Sequence, residues 1–426
     1  MRKRLLYGSI FLIAVYFILG FSDGDQKNNK SNLEVKVDNC VSCHTELGIM
    51  PEGYSENDIH MQANLTCAGC HGGDPTSDDE SIAMSPAKGF VGVPKRKDIP
   101  KFCGKCHSNI DFMRKYQPRM ETDQVSQYYT SVHGKKLQAG DENVAECASC
   151  HTAHSILSAK DPRSSVYKLN VPKTCNRCHG NSELMKKYNI PSNQLEEYSM
   201  SVHGVALLKN QDMGAPACND CHGNHGATPP GITSISYVCG TCHASNMEYF
   251  NATKMAQAFE ELDYHGCEQC HGNHNIQKPN DGMIGTGKDS KCIECHSPGD
   301  EGYAVAQKIN ESLVNLQKNY DEANSKYVEV KQKGMNDVDI GFLLQDAKQD
   351  LIQSRTLIHT FDSTKVDSKT KEGTDIANKA VAMAQQQIDE YYTRRNGFAV
   401  ATLAFLIFVI ALYFRIKDRE KKPIKK

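Results

Sequence analysis

The 426-residue chain has no tryptophan, and aromatic residues make up only 8% of it. Soluble domains of this length ordinarily build their cores around large side chains. Their scarcity excludes a conventional aromatic-rich core and leaves volume for something other than side chains to fill. An excess of charge is missing too: 49 Lys and Arg against 51 Asp and Glu give a formal net charge of −2. Nothing in that balance calls for a nucleic-acid partner, and none is expected. Long apolar runs are confined to the two ends, Leu5 to Phe21 and Phe398 to Phe414. No cysteine is spare, because all eighteen fall in nine Cys-x-x-Cys-His motifs.

The motifs are Cys40, Cys43 and His44; Cys67, Cys70 and His71; Cys103, Cys106 and His107; Cys147, Cys150 and His151; Cys175, Cys178 and His179; Cys218, Cys221 and His222; Cys239, Cys242 and His243; Cys267, Cys270 and His271; and Cys292, Cys295 and His296. Two thiols on one short turn can add to the two vinyl groups of a single haem, and the next histidine sits under the ring as the proximal iron ligand. A paired zinc site uses Cys-x-x-Cys but has no need of a histidine after every pair. With histidine at about 4% of the chain, nine such placements by chance have a probability on the order of 10⁻¹³. Nine covalently attached haems c are expected, and porphyrin then supplies the missing core.

The haem region, 33–299, also repeats. Ser131-Val132-His133-Gly134 leads to Cys147, to His151-Thr-Ala-His154 and then to Cys175. Ser201-Val202-His203-Gly204 leads to Cys218, to His222-Gly-Asn-His225 and then to Cys239. Asp263-Tyr264-His265-Gly266 leads to Cys267, to His271-Gly-Asn-His274 and then to Cys292. The three repeats span about 131–182, 201–246 and 263–299. A degenerate copy at about 57–110 contains His60 and puts Asp74 where the others have their second extra histidine; the motif at 40–44 precedes them all. The extra histidines His60, His133, His154, His203, His225, His265 and His274 are expected to be distal iron ligands, because two imidazoles on one iron suit electron transfer. Spacing does not say which serves which haem.

This pattern resembles the multihaem cytochromes c with doubled Cys-x-x-Cys-His motifs, a group similar to tetrahaem cytochromes c; the same haem packing recurs in octahaem tetrathionate reductase and hydroxylamine oxidoreductase. The resemblance covers Asn39 to about Ser297. It departs at Asp74 and in the extra N-terminal haem. It implies haem ligated after export, with distal ligands commonly drawn from a neighbouring repeat.

The ends and the C-terminal third complete the layout. Residues 1–22, with Arg2, Lys3 and Arg4 before the first apolar run, read as a signal peptide or, less readily, an N-terminal anchor. Stripes at Ile309, Leu313, Leu316, Tyr320, Ala323, Tyr327 and Val330, at Ile340, Leu344, Ala347, Leu351, Ser354, Ile358 and Phe361, and at Ala377, Val381, Ala384, Ile388 and Tyr391 predict a helical bundle or stalk over 303–395. Its turns are expected at Lys333 to Asn336 and across the polar stretch Asp362 to Gly373. A transmembrane helix follows at 397–414 and a basic tail at 415–426, which the positive-inside rule puts in the cytoplasm. The fold expected is mainly α with much irregular loop: a haem-packed domain, a long-helix bundle and one C-terminal transmembrane helix, held in the inner membrane with the haems on the periplasmic side.

Two function classes compete. One is an electron-transfer protein carrying electrons between a quinol-linked membrane redox complex and a periplasmic or extracellular acceptor, as in anaerobic respiration. The other is a terminal reductase of a small nitrogen or sulfur compound at an incompletely ligated haem, with those at Cys40 and Cys103 as candidates. No catalytic side chain is assigned. Nine irons need nine distal ligands, and the haem region offers seven histidines outside the motifs. His359 fills an eighth place only if the second long helix folds back; it is expected to be exposed.

Overall fold

The computed structural model describes residues 38–226, 228 and 235–420. The N-terminal segment 1–22 and the tail residues 421–426 lie outside them. The protein is 64% helical, without strands among the described residues. It divides into two compact parts: the described residues of Met1–Met120 with Glu146–Asp161, and Glu121–Ala145 with Pro162 onward.

Before Glu301 no described helix exceeds nine residues. The motif helices Cys67–His71, Cys147–His151, Cys218–His222 and Gly266–His271 each stop after about one turn. The next residue enters a positive-φ conformation: Gly72 at 71°, Thr152 at 67°, Gly223 at 76° and Gly272 at 71°. That region disfavours side chains with a Cβ, so glycine follows three of these motifs. Side-chain cores here are small, such as Val171 with Leu207, Ala215 and Ala217, or Tyr128 with Leu137 and Val144.

The C-terminal third is three long helices: α1 (Glu301–Gln332), α2 (Val338–Leu357) and α3 (Ser363–Glu420). Asp300 caps α1 by accepting from the Tyr303 N–H at 2.7 Å. Gly334, at φ 66°, turns the chain into α2. The expected seams are real: Ile309, Leu313, Leu316, Ala323 and Val330 on α1 are buried against Ile340, Leu344, Ala347, Leu351 and Ser354 on α2 and Ala377, Ala384 and Ile388 on α3.

One boundary differs from expectation. The polar stretch Asp362 to Gly373 is helical from Ser363, and the turn is confined to Ile358–Thr360 and the two residues after it. Val366, Thr370 and Gly373 carry the seam through it, all buried. α3 then runs unbroken into the apolar segment, where the span is wholly exposed and long and apolar enough to cross a membrane. This is a candidate membrane span.

Candidate haem sites

None of the eighteen cysteines is in a disulfide, and all are half-buried or exposed. Thiols of successive repeats meet in pairs: Cys103 hydrogen-bonds with Cys147, Cys175 with Cys218 and Cys239 with Cys267. Each contact pushes one thiol up, Cys147, Cys218 and Cys239 respectively, and its partner down. Every one joins the second motif of one repeat to the first motif of the next. Cys40 is pushed up to about 12 by burial and by the Asp38 carboxylate.

The histidines meet in pairs across these motifs. Ring centroids are 6.0 Å apart for His60 and His107, 6.3 Å for His71 and His154, and 6.1 Å for His133 and His179. They are 6.3 Å for His203 and His243, 5.9 Å for His222 and His274, and 6.3 Å for His271 and His359. A metal–imidazole bond of about 2 Å on each side, plus about 1.2 Å from nitrogen to ring centre, puts two ligating rings about 6.4 Å apart. The separations therefore fit one iron between each pair. Burial above all, and then a neighbouring histidine, hold His133, His154, His203, His222 and His271 below the usual histidine range. They are thus neutral at pH 7, the state that binds a metal.

The pairs obey a rule. The histidine ahead of a repeat's first motif meets the second motif of its own repeat: His60 with His107, His133 with His179, His203 with His243. The histidine after a first motif meets the first motif of the repeat before: His154 with His71, His274 with His222. The backbone repeats this docking, since the Ile59 N–H donates to the Ile156 carbonyl and the Val202 N–H to the Ile276 carbonyl, both at 2.8 Å.

A local device sets His133 and His203. Ser131 accepts from the Gly134 N–H at 3.0 Å and donates to the Tyr128 carbonyl at 2.6 Å; Ser201, Gly204 and Tyr198 do the same at 2.9 and 2.6 Å. The phenols reach to the chain before the next motif, Tyr128 to the Ala145 carbonyl and Tyr198 to that of Pro216. Sequence reading missed the tyrosines, although Tyr-x-x-Ser-x-His-Gly is repeated in the chain. A Cβ on Gly204 would lie 1.8 Å from the Tyr198 carbonyl oxygen. Gly204→Ala is therefore expected to force the two short helices apart, costing about 2 kcal/mol and giving a high-spin fraction at the haem of Cys239; an unchanged absorption spectrum and melting curve would refute this.

The other histidines are placed differently. His265 stands two residues before Cys267, whereas His133 and His203 stand fourteen and fifteen before theirs. It precedes the helix Gly266–His271, bonds Glu268 at 3.2 Å through Nδ1 and is 54% exposed. Among the described residues no histidine ring meets it, in contrast to the expectation of a distal role. His225 is half-buried, and it and His151 have interaction partners. His296 packs over Gly302, with Nδ1 3.2 Å from Asp300. His359 is half-buried, not exposed as expected.

Asp74 opens a turn in which its Oδ1 accepts from the Thr76 N–H at 3.1 Å and hydroxyl at 2.7 Å; Oδ2 is 3.8 Å from Lys88 Nζ. The Thr76 hydrogen bonds lead in holding its carboxyl below the usual range, so it is ionised at neutral pH. The chain just after it docks on the first motif: the Asn39 N–H donates to the Pro75 carbonyl at 2.8 Å, and Asn39 Nδ2 to Asp78 at 2.7 Å.

Among the described residues no cluster of three or more His, Cys, Asp or Glu is arranged to hold a metal ion. A porphyrin asks less of the chain, two axial ligands and two thioethers. In comparison with known proteins, the cytochrome c3 family matches over residues 59–180, and the cytochrome c554 and c-prime family over 21–72 and 238–318. No curated protein and no solved structure matches the chain. The first match covers the degenerate copy and most of the first full repeat, the second the last haem motifs and the start of α1. Together they support a multihaem cytochrome c family, with covalently bound haem and a role in electron transfer.

Proposed function

We propose that the protein is a membrane-anchored nonahaem cytochrome c that passes electrons between a quinol-linked membrane complex and a periplasmic or extracellular acceptor. The observation that carries this is the set of six histidine pairs spaced for one iron each, joined by thiol contacts between successive repeats. Each haem, when bound, supplies an iron that changes oxidation state by one electron. The protein holds two imidazoles in place for it, so that little geometry changes on transfer, and sets neighbouring groups close enough for successive steps.

The domain layout fits. A haem region at 33–299 is followed along the chain by the bundle at 303–395 and a span at 397–414 that holds the chain at the inner membrane, with the haems outside and the basic residues from Arg415 onward in the cytoplasm. The bundle is a spacer. At about 1.5 Å per residue, the 35 residues from Ser363 to Phe398 put the His359 corner about 52 Å along α3 from the apolar run.

The test uses His154→Ala in the detergent-solubilised full-length protein. Haem quantified against protein should stay at nine per chain while one haem turns from low to high spin in electron paramagnetic resonance. A spectrum without any change, at full haem content, would remove the pairing and with it the carrier reading.

A second reading, reduction of a small nitrogen or sulfur compound, is favoured at the haem of the motif Cys40 to His44. By the pairing rule the residue after the first motif of the degenerate copy serves the motif before it. That residue is Asp74, and that motif is Cys40 to His44. A carboxylate tied to Thr76 and Lys88 stands in the sequence place of an imidazole there. The haem at Cys40 is thus the place for an exchangeable ligand.

A further inference from the structure

We infer that His359, in the corner between α2 and α3, is the second axial ligand of the haem attached at Cys267 and Cys270, so that the bundle itself completes the haem array. The inference rests on the reading that a haem is attached at those cysteines. The rule that links each first motif to the following repeat runs out at His271, because no repeat follows the third. The ring that meets it instead is His359, with centroids 6.3 Å apart and planes 24° from parallel. The same arrangement occurs for His71 with His154, at 6.3 Å and 20°, and for His222 with His274, at 5.9 Å and 27°. His359 therefore does for the last repeat what the next repeat does for the others.

Its tautomer suits the role. Nδ1 lies 3.0 Å from the Thr356 carbonyl, which can only accept, so Nδ1 carries the proton and Nε2 keeps the lone pair. The corner is held from several sides. Phe361, immediately after the 3₁₀ turn, adopts φ 48°, costly for a bulky residue, and its ring meets Phe250 at 6.4 Å. Arg355 makes two hydrogen bonds to Asp281, at 2.8 and 2.7 Å, in the loop that follows His274. Leu357 and Ile358 pack with Ile284, Ile309, Leu313 and Val366. These contacts fix a single imidazole against the last repeat. His265, which the pairing rule would put with His296 of its own repeat's second motif, is turned toward Glu268 and solvent and does not compete for this iron.

The experiment compares His359→Ala, His359→Met and His265→Ala in the full-length protein, each checked for complete haem content. His359→Ala should convert one haem in nine to high spin, and added imidazole should return it to low spin. His359→Met should keep that haem low-spin while raising its midpoint potential, as a His/Met pair does; this variant serves if the alanine protein fails to fold. His265→Ala should leave the low-spin count unchanged. Full low-spin character in His359→Ala without imidazole would overturn the assignment. Peptide mass analysis of the wild-type protein finding Cys267 and Cys270 without haem would instead remove the underlying reading.

Discussion

Replacing Asp74 by histidine is expected to turn the haem at Cys40 from a high-spin, ligand-binding centre into a low-spin one. The variant should show one high-spin haem fewer than the wild type, and the shift of that haem by nitrite or hydroxylamine should be lost. The reason is positional. His154 and His274 stand three residues after the histidine of a first motif, as Asp74 does, and each meets the preceding first motif. A carboxylate is a weaker ligand for haem iron than imidazole, and this one already spends Oδ1 on Thr76. Imidazole in its place competes with small ligands for the sixth position. Should the wild type be wholly low-spin and indifferent to nitrite, the second reading falls and the protein is a carrier only. Should the wild type have a ligand-binding haem that Asp74→His leaves untouched, the pairing rule does not extend to the first haem.

Much of this arrangement is legible in the chain before folding, and the exceptions have physical causes. The attachment motifs are local, so their chemistry is written in five consecutive residues. The seams at Ile309 to Val330 and Ile340 to Ser354 are legible because large apolar residues recur at helical spacing. The start of α3 was not, because the residues it buries are Val366, Thr370 and Gly373. Small inward residues permit close helix approach yet give little apolar signal, and the charged residues between them imitate a loop. His359 belongs to no motif: the ligand count offers it as an eighth ligand only if the second long helix folds back, and only the return of α2 to the third repeat gives it a partner. His265 misleads in the opposite way. Its His-Gly resembles the first two repeats, but it lacks the serine cap, the tyrosine anchor and the spacer before cysteine that hold His133 and His203 in place.

Leu316→Ala is expected to destabilise the bundle by about 3 kcal/mol, the usual scale for a wholly buried leucine that leaves a cavity. Leu316 is 0% exposed and stands where all three helices meet. A Cβ on Gly373 of α3 would lie 2.9 Å from Asp350 Cβ of α2 and 3.1 Å from the Leu316 methyls of α1, so the backbones approach too closely for rearrangement to fill the space. Beside this layer Asp350, nearly buried, pairs with Lys369 at 2.6 Å, which ties α2 to α3 and leaves less freedom to collapse. On thermal unfolding followed by circular dichroism, the midpoint should fall by roughly 10 °C. Phe342→Ala, at a site on α2 that is 60% exposed, should change it by about 0.5 kcal/mol or less. If the corner of the bundle ligates the last repeat's first haem, the spin change of one haem should move with the helical transition in Leu316→Ala and stay apart from it in His359→Ala, where the link is already cut. Equal midpoints for Leu316→Ala and Phe342→Ala would show that this seam does not hold the helices together, and the bundle would then be maintained by its ends.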